Sequence, residues 1–570
     1  MRYIGRALAH RPSFVPEVNP NPPAAVVAAP PAWRILVEHP LILGVLLLVP
    51  IVFFLQPLPI DETRYLAVAW EMRQTGEFLV PHLNGALYSQ KPPLLFWLIN
   101  AGWAVTGVHA WTARAMTLLC SVLSLLLLAR LTERITGSRV AARLSTVLLI
   151  GMLYFATFAN AIMFDVLLAT CALLALHGVL DLVEDRGGRG VVLTALGLGL
   201  GVLAKGPVIL LDVGFAAVLM PWWNRGTPRG SGRYYAALGA ALLLGAAIPL
   251  AWAIPAALHG GPEYSRAIFL SQTFDRIQGV KTGTHAQPVW WYLVWLPVMV
   301  LPWTLVMRGR WESAKKLLRE RGARLAIAWV VPTVIAFSMI GGKQAHYLLP
   351  LLPGIALAFA IALEQRAFEI RVGIASALLI IAGLVLAYLP FYAATQPDLS
   401  FVSDTSPLWG AGVATIGVAL LIAAKRVREP FWPALAMVAV VLLFKLALIQ
   451  GPGVRYDVRS IAAQVHAAQA RGQPIAHLGW HHGVYEFAGR LTEPLPALTL
   501  EELPAWAAEH PDGLVMSFYR RFRFRADPIY SQPFRGVQVS IWNVGDALKS
   551  GVDPNANHAR DDSEDASDED

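Results

Sequence analysis

The chain has 570 residues, of which 56% are hydrophobic and 15% charged, with a mean hydropathy of +0.52. An ordinary soluble domain carries roughly a quarter charged residues, so the composition excludes that class and points to an integral membrane protein. The formal net charge of +8 does not indicate a nucleic-acid partner, because the basic residues are parcelled into short loops and Asp561–Asp570 is mostly acidic.

Residues 1–34 are polar and Pro-rich and read as a cytoplasmic N-terminal tail, followed by an uncleaved first span rather than a signal peptide. Apolar runs of about 17–25 residues then place thirteen spans. They lie near 35–57, 114–133, 140–158, 165–183, 190–204, 206–222, 235–257, 288–307, 324–340, 347–363, 371–393, 407–424 and 431–449. Alternate loops hold Arg130, Arg134, Arg139 and Arg143, then Arg186 and Arg189, then Arg225, Arg229 and Arg233, and later Lys425, Arg426 and Arg428. The positive-inside rule makes that face cytoplasmic. Trp222-Trp223, Trp290-Trp291 and Trp295 sit near span ends, as an interfacial aromatic belt requires.

Residues 58–113 form a long outer loop, with a helix expected over 62–76 and a Pro-led apolar helix over 92–107 that lies at the interface rather than crossing. A second outer loop is expected over 258–287. Beyond residue 450 hydropathy falls. Strands near 474–479, 513–518 and 538–543 and helices near 457–471 and 500–509 predict a periplasmic α/β domain over 451–550, followed by a disordered acidic tail over 551–570. The expected fold is thus an α-helical polytopic membrane protein of about thirteen transmembrane helices, residues 35–450, with a C-terminal α/β domain.

The outer face carries a different kind of polar residue: Asp61, Glu62, Arg64 and Lys91, then Asn160 and Asp165, Lys205, Asp275 and Arg276, and Lys343, Gln344, His346 and Tyr347. Isolated polar groups beside a bilayer are costly unless wetted, paired or used. Any one of them could anchor a helix end, but many from separate loops on one face describe a site assembled from loop ends. Lys445 is read as the charge set deepest in a span, five residues from its outer end and able to snorkel. Asp165 opens an apolar run and could serve as a helix N-cap. Cys120 and Cys171 lie in apolar runs and read as core residues, and His481-His482 has no third ligand nearby.

The stretch Asp61-Glu62-Thr63-Arg64-Tyr65, with Gly76, Pro81, Leu83-Asn84-Gly85, Tyr88, Lys91-Pro92-Pro93-Leu94 and Trp97-Leu98, resembles the first periplasmic loop of the aminoarabinose transferase (ArnT) family. These are membrane glycosyltransferases of the GT-C fold, related to protein O-mannosyltransferases. The resemblance extends through Met163-Phe164-Asp165, Lys205-Gly206-Pro207, Arg276, Pro288 to Trp303, and His346-Tyr347-Leu348-Leu349-Pro350. It implies inverting transfer of a monosaccharide, possibly 4-amino-4-deoxy-L-arabinose, from polyprenyl (undecaprenyl) phosphate to a periplasmic acceptor such as lipid A or another envelope glycan, in a bacterial inner membrane. A lipid-phosphate sugar is already activated, and no Gly-rich nucleotide loop is present.

Lys91 and Arg276, supported by Arg64 and Lys205, suit the phosphate charge that develops as the anomeric bond breaks. Asp61 first, and Asp165 second, suit orienting the acceptor or taking its proton. Glu62, Tyr88, His346 and Tyr347 complete the expected substrate-binding set. Where such sequences usually have Glu before Lys-Pro-Pro, this one has Gln90, and a neutral amide is a poor metal ligand, so a divalent metal is doubtful and no cofactor is certain. The alternatives are a GT-C transferase with a protein acceptor and a transporter or flippase of lipid-linked sugar. Transporters place their sites near the midplane, whereas these charges gather at one surface.

Overall fold

The computed structural model describes residues 40–225, 231–271, 287–309, 311–396, 400–424, 429–450, 452–518, 523–535 and 537–553. The N-terminal tail, most of the acidic C-terminal tail, and Arg229, Asp275, Arg276, Lys425, Arg426 and Arg428 lie outside the described residues.

All thirteen expected apolar runs are helical over much of their length. Among the described residues, eight helices are long and apolar enough to cross a membrane, from Ala110–Thr136 to Phe431–Gln450. The other five fall short. The run at 140–158 breaks at Gly151-Met152 into Arg139–Ile150 and Leu153–Phe158. The run at 288–307 breaks into Trp291–Met299 and Trp303–Val306 around Pro302, which has no N–H to carry a helix on. Ile209–Val218 and Pro407–Ile422 have 10 and 16 residues, and Pro40–Phe54 begins where the described residues begin. The Pro-led helix Leu94–Thr106 has 13 residues, about 20 Å at 1.5 Å per residue, too short for a hydrocarbon core of about 30 Å. The helix Ser231–Arg266 runs past the expected start of the second outer loop, bent at Gly261 with Pro262 behind it.

The C-terminal unit holds a five-stranded mixed sheet. Its strands run in the order Ala497–Leu498, Ile475–Leu478, Leu514–Phe518, Val537–Asn543, Tyr530–Phe534. The first three are parallel and the last two pairings antiparallel. Helix Arg459–Ala470 supplies Ile461 and Val465 to the core on one side, and Leu503 and Trp542 belong to the core on the other. Two strands were not anticipated. Ala497–Leu498 is too short to show a period, and Tyr530–Phe534 carries Pro533, which is tolerated because the strand is an edge.

This unit is seated on the segment 58–113. Trp70 Nε1 donates to Leu491 O at 2.9 Å, and Arg490 donates to Val108 O at 2.9 Å. The Asn84 amide exchanges two hydrogen bonds with the Leu495 backbone, at 2.8 and 2.7 Å. Trp103 and Phe487 stack with centroids 5.5 Å apart.

Candidate active site

The chain leaves its first helix at Leu55 and re-enters helix at Asp61, so Asp61 and Glu62 occupy the first turn of Asp61–Thr75, where acidic groups suit the helix dipole. Adjacent helical residues point about 100° apart, and these two carboxylates diverge accordingly. Asp61 Oδ1 accepts from Arg64 Nη2 at 2.6 Å, one turn on, and its side chain keeps 39% of its exposure. Burial pushes its pKa up, but Arg64, Lys91 and His346 outweigh that and hold it below the ordinary 3.8. Burial pushes the Tyr65 phenol well above its usual value.

Glu62, expected among the substrate ligands, turns into the protein. Its carboxylate accepts from Arg114 Nη2 at 2.5 Å, from Leu58 N at 2.8 Å and from Ile162 N at 2.9 Å. Arg114 in turn donates to Leu55 O and Gln56 O at 2.5 and 2.9 Å. Glu62 therefore ties the end of the first helix, the Asp61 helix and the segment leading to Asp165 into one buried node.

Asp165 and Lys205 come together through a helical hairpin. Phe164–Val183 and Gly187–Lys205 pack at backbone contact: a Cβ on Gly197 would stand 2.4 Å from Ala175 N, and one on Gly178 2.3 Å from Thr194 N. The start of one helix and the end of the other thus share one end of the hairpin, and Lys205 Nζ meets Asp165 Oδ1 at 2.5 Å. The helix N-cap is Met163, not Asp165. His346 Nε2 lies 3.9 Å from the other Asp165 oxygen, and Lys205 Nζ stands 4.4 Å from the Tyr347 ring centroid.

An aromatic wedge joins the two carboxylates' elements. Tyr65 meets Phe164 edge-on at 4.9 Å, Phe164 meets Phe96 at 5.4 Å, and Phe96 meets Tyr88 at 6.0 Å. His346 is within electrostatic reach of Asp61, Asp165, Lys91 and Lys205. The structure thus brings together Asp61, Arg64, Tyr88, Lys91, Asp165, Lys205, His346 and Tyr347. Glu62 stands behind them, and Arg276 is outside the described residues.

Sequence reasoning missed several polar residues. Asp212 lies inside the apolar helix Ile209–Val218, 1% exposed, with both carboxylate oxygens lacking a hydrogen-bond partner and with Lys205 and Asp165 in electrostatic reach. Lys445 is therefore not the sole deep charge, and it does not snorkel. It is buried, donating to Thr157 O at 2.6 Å and to Asn160 Oδ1 at 2.5 Å. Asn160 in turn donates to Leu48 O at 3.1 Å. The cost of burying a charge in an apolar run was the signal available for Asp212.

Gln90 Oε1 is buried and accepts no hydrogen bond. An amide oxygen is a weak metal donor, and among the described residues no three His, Cys, Asp or Glu side chains converge as ligands. The described residues therefore offer no ligand set for a metal.

Comparison with known proteins gives first a class. The fold matches the crystal structure of ArnT from Cupriavidus metallidurans bound to undecaprenyl phosphate, with a TM-score of 0.69 over 90% of this chain and 98% of that one, at 18% identity. The architecture is that of a polytopic GT-C membrane protein. The sequence then narrows the class. Residues 90–252 match the family described as dolichyl-phosphate-mannose-protein mannosyltransferase. An undecaprenyl phosphate-alpha-4-amino-4-deoxy-L-arabinose arabinosyl transferase of Pseudomonas fluorescens is 30% identical over 54% of this chain and 55% of its own length. One from Edwardsiella ictaluri is 26% identical over 81% and 90%. The chain spans between 55% and 60% of the first such relatives, from Pseudomonas fluorescens and Sodalis glossinidius. It is ArnT-like in sequence and in fold.

Proposed function

We propose that this protein transfers a monosaccharide from a polyprenyl-phosphate carrier to an acceptor on the outer face of a bacterial inner membrane. The observation that carries this reading is the convergence of two carboxylate–cation pairs, Asp61–Arg64 and Asp165–Lys205, from separate elements around His346. Relatives named for transfer of 4-amino-4-deoxy-L-arabinose from undecaprenyl phosphate support the donor class.

In this reading the C1–O bond to the carrier phosphate breaks and its electron pair stays on the phosphate. Lys91, Lys205 and Arg64, with Arg276 as a further candidate, stabilise that charge as it develops. The acceptor oxygen attacks C1 from the opposite face, with inversion, held by Asp61. A hydroxyl acceptor gives its proton to Asp61, whereas a phosphate acceptor is already anionic and is positioned only. Tyr88, His346 and Tyr347 orient the donor, and Asp165 holds Lys205 in place. The same reading puts residues 1–34 in the cytoplasm and residues 451–550 in the periplasm. Lipid A or another envelope glycan is the acceptor. The match of residues 90–252 to a protein mannosyltransferase family favours a protein acceptor as the second reading.

Mass spectrometry of envelope lipids, glycans and proteins, from cells with and without the gene, tests this. Loss of one glycoform together with accumulation of a polyprenyl-phosphate sugar is expected, and the missing mass identifies sugar and acceptor. An unchanged envelope with no accumulated carrier sugar contradicts it.

A further inference from the structure

The α/β unit touches the helix that carries Asp61 and Arg64 at one unusual turn. Gly479, His482 and Gly483 have φ values of +79°, +52° and +73°, a left-handed course that favours glycine. At Gly483 the backbone lies directly on the Asp61–Thr75 helix. A Cβ there would stand 2.6 Å from Leu83 Cδ1, 3.0 Å from Ala67 Cβ and 3.6 Å from Arg64 Cα. The turn is braced from behind, where His481 Nε2 donates to Leu495 O at 3.2 Å and Nδ1 lies 3.2 Å from Glu486 Oε1. Beside it, Trp480 packs against the apolar core of the membrane half.

Arg64 and Ala67 are three residues apart and so neighbours on one helix face. A push at Ala67 therefore moves Arg64 and, through the 2.6 Å bond, Asp61. We propose that the Gly479–Gly483 turn is a positioning element for the Asp61–Arg64 pair. Contact at Gly483 sets the height and rotation of the Asp61–Thr75 helix, so the α/β unit fixes where the carboxylate meets the acceptor. This rests on the transferase reading given above. Gly483 is a positioning residue, because it acts through Arg64 and Asp61 rather than on substrate.

The test uses the full-length protein in detergent, with undecaprenyl phosphate-linked 4-amino-4-deoxy-L-arabinose as donor and lipid A as acceptor. Gly483→Ala is expected to lower kcat about tenfold or more, the scale of a sub-ångström misplacement, with the KM for donor within about twofold of wild type. Adding Ala67→Gly removes the atom 3.0 Å from the new Cβ. The double variant is expected to recover kcat to within about threefold of Ala67→Gly alone. Its melting temperature stays lowered, because the positive φ still strains an alanine. If Gly483→Ala does not fold, Ala67→Val adds bulk at the same contact from the helix side and is expected to lower kcat alike. Wild-type kcat in Gly483→Ala or in Ala67→Val, or a double variant as slow as Gly483→Ala, overturns the proposal. A wild-type protein that transfers no sugar to any envelope acceptor overturns the transferase reading itself, and this inference with it.

Discussion

The two ion pairs of the candidate site differ in how they are held. Asp61–Arg64 sits within a single helical turn, with Asp61 39% exposed and Arg64 7%. Asp165–Lys205 spans two helices packed through glycines, with side chains 2% and 9% exposed. A pair open to water contributes about 0–1 kcal/mol, whereas breaking a buried pair strands a charge at a cost of about 3–5 kcal/mol. In the proposed reading the inner pair serves architecture and chemistry together, and the more exposed Asp61 carboxylate exchanges partners when substrate arrives. Loss of function at the inner pair mixes two causes, and loss at Asp61 isolates one.

The sharpest way to separate those causes begins with Lys205→Met. It is expected to lower stability by about 3–5 kcal/mol and transfer by about 10²–10³-fold, read by thermal unfolding and initial rates. Lys205→Met with Asp165→Asn removes both charges, and is expected to regain most of the stability and none of the rate. Equal recovery of both would make the inner pair purely architectural. Glu62→Ala leaves Arg114 buried without its carboxylate, and is expected to cost about 3–5 kcal/mol. Residual folded protein should still bind undecaprenyl phosphate in a direct binding assay, since Glu62 faces away from the other site groups.

The smallest expected effect is that of pH on Asp61. Its folded pKa is lowered below 3.8, so what the ion pair contributes is complete above the unfolded value and fades as pH falls through the folded one. The rate profile should therefore show no limb from this group above about pH 5. A limb between about pH 5 and 7 that vanishes in Asp61→Asn would show the opposite shift.

Much of this was legible in the sequence because hydropathy reports each helix by itself. The apolar runs, the short helix after Lys91-Pro92-Pro93 and three strands of the C-terminal sheet all follow from local pattern. The clustering of Asp61, Asp165, Lys205 and His346 was legible from charge at span ends on one face. Lateral contacts were not. Whether Glu62 or Asp61 faces the candidate site depends on helical phase against partners that no local window contains. Asp212 was hidden by the apolar residues on both sides of it, and Lys445 was read as snorkelling because its partners Thr157 and Asn160 lie nearly three hundred residues earlier.

We propose that Asp61 holds the acceptor that attacks the transferred sugar and is not needed for the fold. The direct measurement is release of undecaprenyl phosphate from its 4-amino-4-deoxy-L-arabinose conjugate, by purified wild type and Asp61→Asn, in the presence of lipid A. A rate lower by about 10²-fold is expected in the variant, with a melting temperature close to wild type. Wild-type turnover in folded Asp61→Asn would contradict it.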